Sequence, residues 1–263
     1  MPNATLHPNE KRRHFNHQAY AVALAGHITL PFEHVIEAQA SCALPQSGGY
    51  SSDRINDYRL KEIVSCKAAY TSATGSYSEK DDCFYTVASA TVEDLDILGI
   101  VKIGKFCGRV MSRHPYVDPA ANPSEPVEPS IVPLGSCFEN VTIAGHPVKV
   151  VLNVGKACQF SKYTDFRNNA GDHLKVYKAN GTDKTGPIHC SLVDRLEFEN
   201  APELELKAPN SIYLDHFGTI TLAELIVNPR GRRIRMLHVE LGCGTEGSAD
   251  GGSGEVTGSP PGH

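Results

Sequence analysis

The sequence predicts an all-β fold of mainly antiparallel strands, and three observations lead to this. Apolar and polar residues alternate with a period of two over residues 95–103, which is typical of strands with one buried face. Residues 228–231 read Asn-Pro-Arg-Gly, a good type I turn between two apolar runs, 219–227 and 232–241. Residues 156–169 are the one credible helix, with a poor apolar stripe. We therefore expect a sandwich, a barrel or an irregular β-roll with repeated hairpin units and at most one or two short helices.

The alternation slips by one residue inside one of these strands. Val92 and Leu95 are three positions apart, whereas Leu95 and Ile97 are two apart. A slip of one position turns every later side chain to the opposite face of the sheet unless the backbone compensates. The sequence therefore predicts a bend or a bulge between Val92 and Leu95.

The motif around this slip recurs along the chain. Residues 92–99 match residues 138–145 closely, and residues 193–198 and 222–227 are weaker copies. The intervals between copies are too uneven for a regular solenoid. Two interpretations remain open: any amphipathic strand that enters through a corner has this pattern, or one supersecondary unit is reused around a common β core.

The same segments carry a resemblance to known families. Residues 90–110 contain V-x-x-L-x-I-L-G-x-V, and residues 135–148 contain G-S-x-F-x-N-x-x-I-x-G. This pair of segments resembles an uncharacterised family of bacterial β-rich proteins, and it is also similar to bacterial secreted proteins of the choice-of-anchor type. Because the motifs are structural, the resemblance implies a bacterial β-rich protein and carries no activity, cofactor or catalytic residue.

Composition divides the chain into five segments. They are an N-terminal arm (1–16), a β-rich region (17–114), a Pro-rich connection (115–133), a second β-rich region (134–241) and a Gly-rich tail (242–263). The connection holds six prolines, which cannot donate hydrogen bonds to a sheet. The tail has eight glycines in 22 residues and little apolar bulk, so we expect it to be flexible. The two β-rich regions are expected to pack as one domain.

Composition and charge also restrict the class of protein. The 263 residues are 40% hydrophobic and 21% charged, as in ordinary soluble proteins, and the net charge of −5 argues against binding of nucleic acid or of anionic membranes. No apolar run is long enough to form a transmembrane helix, and the polar, basic N-terminus does not look like a signal peptide. Together with the absence of a dense cysteine framework, these features favour the cytoplasm.

The eight cysteines are spread evenly and never form C-x-x-C. This spacing predicts neither a compact zinc site nor a set of disulfide staples. We expect mostly buried free thiols, with Cys66 and Cys83 as the first pair to test for a bridge.

Histidines near the N-terminus are candidate ligands for a divalent transition metal. The four residues are His14, His17, His27 and His34. The first two are three positions apart, which fits one helical turn, and histidines on adjacent strands could complete an imidazole site for zinc, copper or nickel. The alternative is that they are surface and edge histidines in a chain with 12 of them.

Arginines near the predicted 228–231 turn are candidate anion ligands. The cluster comprises Arg230, Arg232, Arg233 and Arg235, which together could bind a phosphate or a carboxylate. The alternative is a solvated face of an edge strand, whose charges deter aggregation between strands.

The sequence contains neither an H-E-x-x-H nor a G-x-S-x-G motif. Three functions therefore stay open, and we rank first a non-catalytic β-rich protein that acts by its surface, either assembling with copies of itself as a homo-oligomer or binding a protein partner. The second is an enzyme on an all-β scaffold, metal-dependent through the N-terminal histidines. The third is a small-molecule binder with its ligand in a barrel mouth or between sheets.

Overall fold

A computed structural model of the chain describes residues 15–29, 33–116, 128–169, 174, 176–179, 186–242 and 247–259, with the backbone alone for 169 and 176–179. Most of the predicted N-terminal arm and residues 117–127 of the Pro-rich connection lie outside these ranges. Among the described residues, no helix has the length and hydropathy needed to cross a membrane.

The described chain forms seventeen strands and two short helices. In chain order the strands are β1 (Asn16–Ile28), β2 (His34–Ala43), β3 (Gly49–Leu60), β4 (Val64–Ser78), β5 (Cys83–Ile97), β6 (Val101–Pro115), β7 (Ser130–Val132), β8 (Cys137–Ile143), β9 (His146–Leu152), β10 (Val176–Ala179), β11 (Ile188–Ser191), β12 (Val193–Glu197), β13 (Leu204–Ala208), β14 (Ser211–Leu214), β15 (Gly218–Val227), β16 (Gly231–Leu241) and β17 (Gly247–Ser259). The helices are α1 (Val154–Gln159) and α2 (Tyr163–Asn169). The single helix predicted over 156–169 is thus two shorter ones.

The strands build two antiparallel sheets that pack as a sandwich, which confirms the predicted fold class. The nine-stranded sheet has the order β10-β11-β15-β16-β17-β1-β2, with β13 and β14 joined to β15. The eight-stranded sheet has the order β12-β9-β8-β6-β5-β4-β3, with β7 paired to β6. Each sheet takes strands from both sides of the Pro-rich connection. The hairpin predicted around residues 228–231 forms as β15–β16, and β4–β5 and β8–β9 are further antiparallel hairpins.

A bend runs across the eight-stranded sheet at the same height on five neighbouring strands. Across β3, β4, β5, β6 and β8 the register sets side by side Asp57, Lys67, Asp94, Gly104 and Asn140. Every second one of them is in the left-handed region, with φ of 52° at Asp57, 51° at Asp94 and 54° at Asn140. The predicted bend between Val92 and Leu95 is confirmed, and it belongs to a crease shared by five strands.

The nine-stranded sheet has a matching crease. Across β2, β1, β17, β16 and β15 the register sets side by side Ala40, Ala23, Gly252, Met236 and Ala223. Again alternate strands carry positive φ, 47° at Ala40, 62° at Gly252 and 46° at Ala223. Left-handed conformations of non-glycine residues cost about 1–2 kcal/mol each. Because this unfavourable conformation recurs on alternate strands of both sheets, we infer that pairing with the neighbouring strands stabilises it.

The two closest copies of the recurring motif share this geometry. Asp94 and Asn140 occupy the same motif position, and both lie on the crease. Each copy then ends in a short hairpin loop, residues 98–100 or 144–145, whose first two residues have positive φ, 53° and 70° in the first loop and 49° and 83° in the second. Such turns match the twist of paired strands. For these two copies the reused-unit interpretation is favoured.

The Gly-rich segment is not a flexible tail, and this expectation was wrong for residues 247–259. They form β17, which is hydrogen-bonded along its length to β1 on one side and to β16 on the other. The glycines permit contacts that side chains would block: a Cβ on Gly252 would lie 2.8 Å from the ring of Phe106, and one on Gly258 would lie 2.4 Å from the ring of Phe15. Close packing and pairing on both edges therefore offset the ordering entropy of this segment.

The interior has a different composition on the two sides of the crease. On the side of Phe15 lies a group of small buried residues that we call the Ala/Gly layer, Ala19, Ala21, Ala69, Ala73, Ala88, Ala90, Gly108 and Gly254, and the same side also buries the larger Val92, Val110, Ile234 and Val256. On the other side lies an aliphatic layer, which comprises Leu24, Ile28, Ile36, Leu95, Ile97, Ile103, Ile143, Leu237 and Val239.

The cysteine expectations have mixed outcomes. Cys42, Cys66, Cys83 and Cys190 are buried thiols, as predicted. A bridge between Cys66 and Cys83 is wrong, because Cys83 pairs with Ser78, twelve residues along β4 from Cys66, or roughly 40 Å at the usual rise per residue. A disulfide requires Cα atoms within about 7 Å.

Candidate functional site: the outer face of the nine-stranded sheet

Four side chains form one row across the middle of the nine-stranded sheet, on its outer face. The register aligns Ile226 on β15 with Arg233 on β16, Arg233 with Glu255 on β17, and Glu255 with Tyr20 on β1. Cross-strand neighbours share a face, and Arg233 and Tyr20 are exposed, so all four point away from the core. The order along the row is apolar, basic, acidic, aromatic; we call it the outer row.

An ion pair occupies the centre of the outer row. Both Nε and Nη2 of Arg233 donate to Oε2 of Glu255, at 2.9 and 2.7 Å. Their side chains are 53% and 33% exposed, so the pair is open to a partner's charges. An exposed pair of this kind contributes about 0–1 kcal/mol to the fold itself.

A shallow groove of about 350 Å³ lies beside the row, over β1 and β17. Its lining includes Tyr20, Leu44, Gln46, Glu255 and Thr257. The Tyr20 side chain is 49% exposed, which makes it one of the few large apolar surfaces in the described part of the chain.

A polar network continues the outer face toward the crease. Glu224, which is 6% exposed, accepts hydrogen bonds from Nδ1 of His189 at 3.0 Å and from Nη2 of Arg235. Arg235 also donates from Nη1 to Oδ1 of Asp250 at 3.2 Å, and Nδ1 of His238 donates to the same oxygen at 2.6 Å. The Arg235 guanidinium thus lies between two carboxylates.

The His238 imidazole lies between two carboxylates and has no open ring nitrogen. Burial lowers the pKa of its imidazole, but hydrogen bonds to Asp250 and Glu240 outweigh burial, so the net shift of the pKa is upward. Both ring nitrogens are occupied, since Nε2 lies 3.0 Å from a Glu240 carboxylate oxygen. The site favours a fixed array of charges.

The four arginines of the predicted anion site do not converge on one point. Alternation along β16 turns Arg233 and Arg235 outward and Arg232 inward, while Arg230 is exposed in the turn before the strand. The alternative of a charged edge strand is wrong, because β16 lies between β15 and β17. Anion binding by the outward pair stays a prediction.

Arg232 has a structural role that its sequence position did not suggest. Its buried guanidinium donates to the backbone carbonyls of Ile131, Phe160 and Ser161, the latter two at 2.7 and 2.8 Å. It also lies over the ring of Phe166, 5.2 Å from the centroid. Burial lowers the pKa of Arg232 to about 10. These contacts stabilise the packing of β7 and both helices against the sandwich.

The described histidine ligands do not converge: His17 lies far from the other two, and His27 and His34, although neighbours in the register of β1 and β2, are one position out of phase and point to opposite faces. His17 is buried and bonded through Nδ1 to Oγ1 of Thr86 at 2.8 Å. His27 lies ten residues along β1, roughly 33 Å away, and bonds Glu33, whereas His34 contacts Nζ of Lys61. His14 lies outside the described residues. Within those residues no cluster of three metal-ligating side chains occurs, and the metal site stays a prediction.

Sequence reasoning missed the outer row because half of its charge pair lies in the segment expected to be flexible. A signal was present: in residues 252–258, glycine or valine at every second position alternates with Ser253, Glu255 and Thr257. That is a strand pattern in which glycine takes the place of a larger apolar residue.

Comparison with known proteins gives one relationship. No curated protein and no solved structure matches the chain. A protein-family profile matches residues 15–171, more than half of the chain, and it is described as a domain of unknown function, DUF8256. The matched region includes β1 and Tyr20 and ends before β15, β16 and β17. The resemblance to an uncharacterised family is thereby confirmed, while a bacterial source and the choice-of-anchor likeness stay predictions. The chain belongs to the DUF8256 family.

Proposed function

We propose that this protein is a non-catalytic self-assembling protein, and that two copies associate through the outer faces of their nine-stranded sheets. The observation that carries the proposal is the outer row, Ile226–Arg233–Glu255–Tyr20, which is complementary to itself. Most soluble oligomers are symmetric, and the commonest symmetry is a two-fold axis, which requires a self-complementary patch.

The symmetry follows from the register. A two-fold axis between the sheets, parallel to β16 and β17 and midway between them, reverses the order of the strands and keeps each residue's height along the strand. Arg233 of one copy then lies over Glu255 of the second copy, and Tyr20 lies over Ile226. One operation therefore matches two ion pairs and two apolar contacts, and complementary charges of this kind fix orientation and register.

The face is large enough for such an interface. Strands β15, β16, β17, β1 and β2 at about 4.8 Å spacing, with about ten residues each, present roughly 24 by 33 Å, or about 800 Å². This is about the area that each partner buries in a standard-size interface. The polar network around Arg235 adds ordered charges of both signs on the same face.

Charge reversal tests the arrangement directly, with sedimentation velocity as the measurement. We expect the wild-type protein to form a dimer. Arg233→Glu alone and Glu255→Arg alone each place like charges across the two-fold axis, which should weaken association by roughly 100-fold or more. An equimolar mixture of the two variants restores opposite charges between copies, so it should associate again.

The mixture separates contact between copies from damage within one copy, because each variant keeps its own like-charge pair. Arg195→Glu is the matched control: Arg195 is an exposed arginine, paired with Glu197, on β12 of the other sheet, and its reversal should leave the dimer intact. A wild-type protein that stays monomeric at every attainable concentration would overturn the proposal. So would a mixture that behaves like its separate components.

A further inference from the structure

Two cysteines lie directly opposite each other on neighbouring strands of the eight-stranded sheet. In the register of β6 and β8, Cys107 pairs with Cys137, the first residue of β8, next to the Phe106–Phe138 pair. Both cysteines are partly exposed. Nothing in their sequence spacing, 30 positions across the Pro-rich connection, pointed to the pair.

The two thiols share the outer face of their sheet. Phe106 and Gly108 point into the core, so Cys107 between them points outward, and residues directly opposite in an antiparallel pair share a face. Cα atoms of such opposite residues are about 4.5–5.5 Å apart, within the range of about 4.4–6.8 Å that disulfides span. Burial raises the pKa of the Cys137 thiol, and the neighbouring Cys107 raises it further, as expected for adjacent sulfurs.

We infer that Cys107 and Cys137 form a cross-strand disulfide by exchange with a small-molecule disulfide such as oxidised glutathione. The thiolate of one cysteine attacks the glutathione disulfide, forms a mixed disulfide and releases one glutathione thiolate. The second cysteine then attacks the protein sulfur of that mixed disulfide and releases the second glutathione. The protein loses two hydrogens and is oxidised, while one oxidised glutathione becomes two reduced glutathiones.

The bond joins two strands that are already paired, so the sheet need not rearrange. It closes the loop of residues 107–137, which contains the whole Pro-rich connection. Closing a loop of this length restricts the unfolded chain, so we expect the oxidised protein to unfold at a temperature about 5–10 °C higher than the reduced protein.

Peptide mapping tests the bond in the intact wild-type protein. After equilibration with oxidised glutathione, free thiols are alkylated and the protein is digested with trypsin without reductant. Cleavage after Lys105 and Arg109 isolates Cys107, and cleavage after Arg113 and Lys149 leaves Cys137 in a separate peptide. We expect these two peptides to be covalently linked, lighter by two hydrogens than their sum, and to separate on reduction.

Cysteine variants provide the controls. Cys137→Ser should abolish the link and leave Cys107 as a stable glutathione adduct, whereas Cys158→Ser, at a partly exposed cysteine within α1, should leave the link unchanged. The inference is overturned if the wild-type peptides stay separate, each alkylated or carrying its own glutathione. A link from either cysteine to a different partner would overturn it as well.

Discussion

The Ala/Gly layer and the aliphatic layer fill one sandwich in opposite ways. In the aliphatic layer, leucine, isoleucine and valine side chains fill the space between the sheets, which in most sandwiches is about 10 Å. In the Ala/Gly layer the backbones approach each other, since a Cβ on Gly108 would lie 2.4 Å from the carbonyl oxygen of Gly252. The crease is the boundary between the two.

A core residue can therefore be essential because it is small. Large apolar side chains stabilise by removing their own area from water, about 25 cal/mol per Å². Glycine and alanine remove little area themselves, but they let two sheets exclude water by backbone and methyl contact. The two layers should therefore respond oppositely to a change of side-chain volume.

The largest effect is expected from enlarging the closest contact in the Ala/Gly layer. In Gly108→Val the new side chain meets the Gly252 carbonyl at 2.4 Å and Met236 Cγ at 2.8 Å, and backbone atoms cannot swing aside. We expect a loss of at least about 4 kcal/mol in the free energy of unfolding, or no folded protein, measured by urea denaturation.

Gly108→Ala keeps this test decisive if the valine variant does not fold, because it makes the same contact with a single methyl group. Its matched control is Gly155→Ala in α1, where no atom lies within 4 Å of the added Cβ. The control should leave the stability unchanged or raise it by up to about 1 kcal/mol, because alanine is the better helix former. Equal stabilities for the two alanine variants would contradict the close approach of the sheets.

Shrinking a side chain should matter most in the aliphatic layer. Ile103→Ala removes three buried carbons from a residue that is 1% exposed, and it should lower the free energy of unfolding by about 2–5 kcal/mol. Ala90→Gly, on the neighbouring strand in the Ala/Gly layer, should cost only about 1 kcal/mol. Urea denaturation of both variants under one condition gives the ratio of their losses in the free energy of unfolding. A cost for Ala90→Gly equal to that for Ile103→Ala would break the distinction between the layers.

The last prediction concerns the pH dependence of stability, because a buried histidine, His114, lies at the end of the Ala/Gly layer. Burial first, and then nearby His17, lowers the pKa of His114 to about 4 from an ordinary 6.5. The folded protein therefore binds fewer protons than the unfolded chain between these values. The stability due to neutral His114 is complete above pH 6.5 and is lost as the pH falls through 4, by about 3 kcal/mol in all.

His114→Leu removes this contribution, so the pH dependence of the variant should be flatter than that of the wild type between pH 7 and pH 4. Urea denaturation at several pH values measures the difference between the two curves. His17, whose pKa is also lowered by burial, is present in both proteins and acts in the same direction in each. Parallel curves would show that His114 is not held neutral in the folded protein.

Local patterns predicted the features that depend on neighbours in the sequence. The step of three from Val92 to Leu95 located the bend, because a left-handed residue shifts the phase of its own strand, whereas the alternating run 95–103 is divided between β5 and β6 by the turn at residues 98–100. The same reasoning failed for β17. A high glycine content predicts a large conformational entropy for the free chain. Pairing with β16 and β1 offsets that entropy; β16 precedes β17 in the sequence, whereas β1 lies at the far end of the chain.

The candidate site was predictable only in its parts. Arg233 and Arg235 stood out as a charged cluster, but their partners Glu255 and Glu224 come from other strands, and register between strands is set by the whole sheet. Arg232 could not be assigned from its neighbours, because the carbonyls that bind it belong to a distant strand and to the segment between the helices.

Local sequence patterns establish that the chain makes strands, where several of them turn, and where at least one must bend, since side-chain alternation and turn preference depend on neighbouring residues. Three further features require the folded sandwich: the bends align into two facing creases, glycines form a central strand, and charges on β16 and β17 meet in one row. Those outcomes depend on which strands become neighbours, and that choice is made by the packing of the entire sandwich.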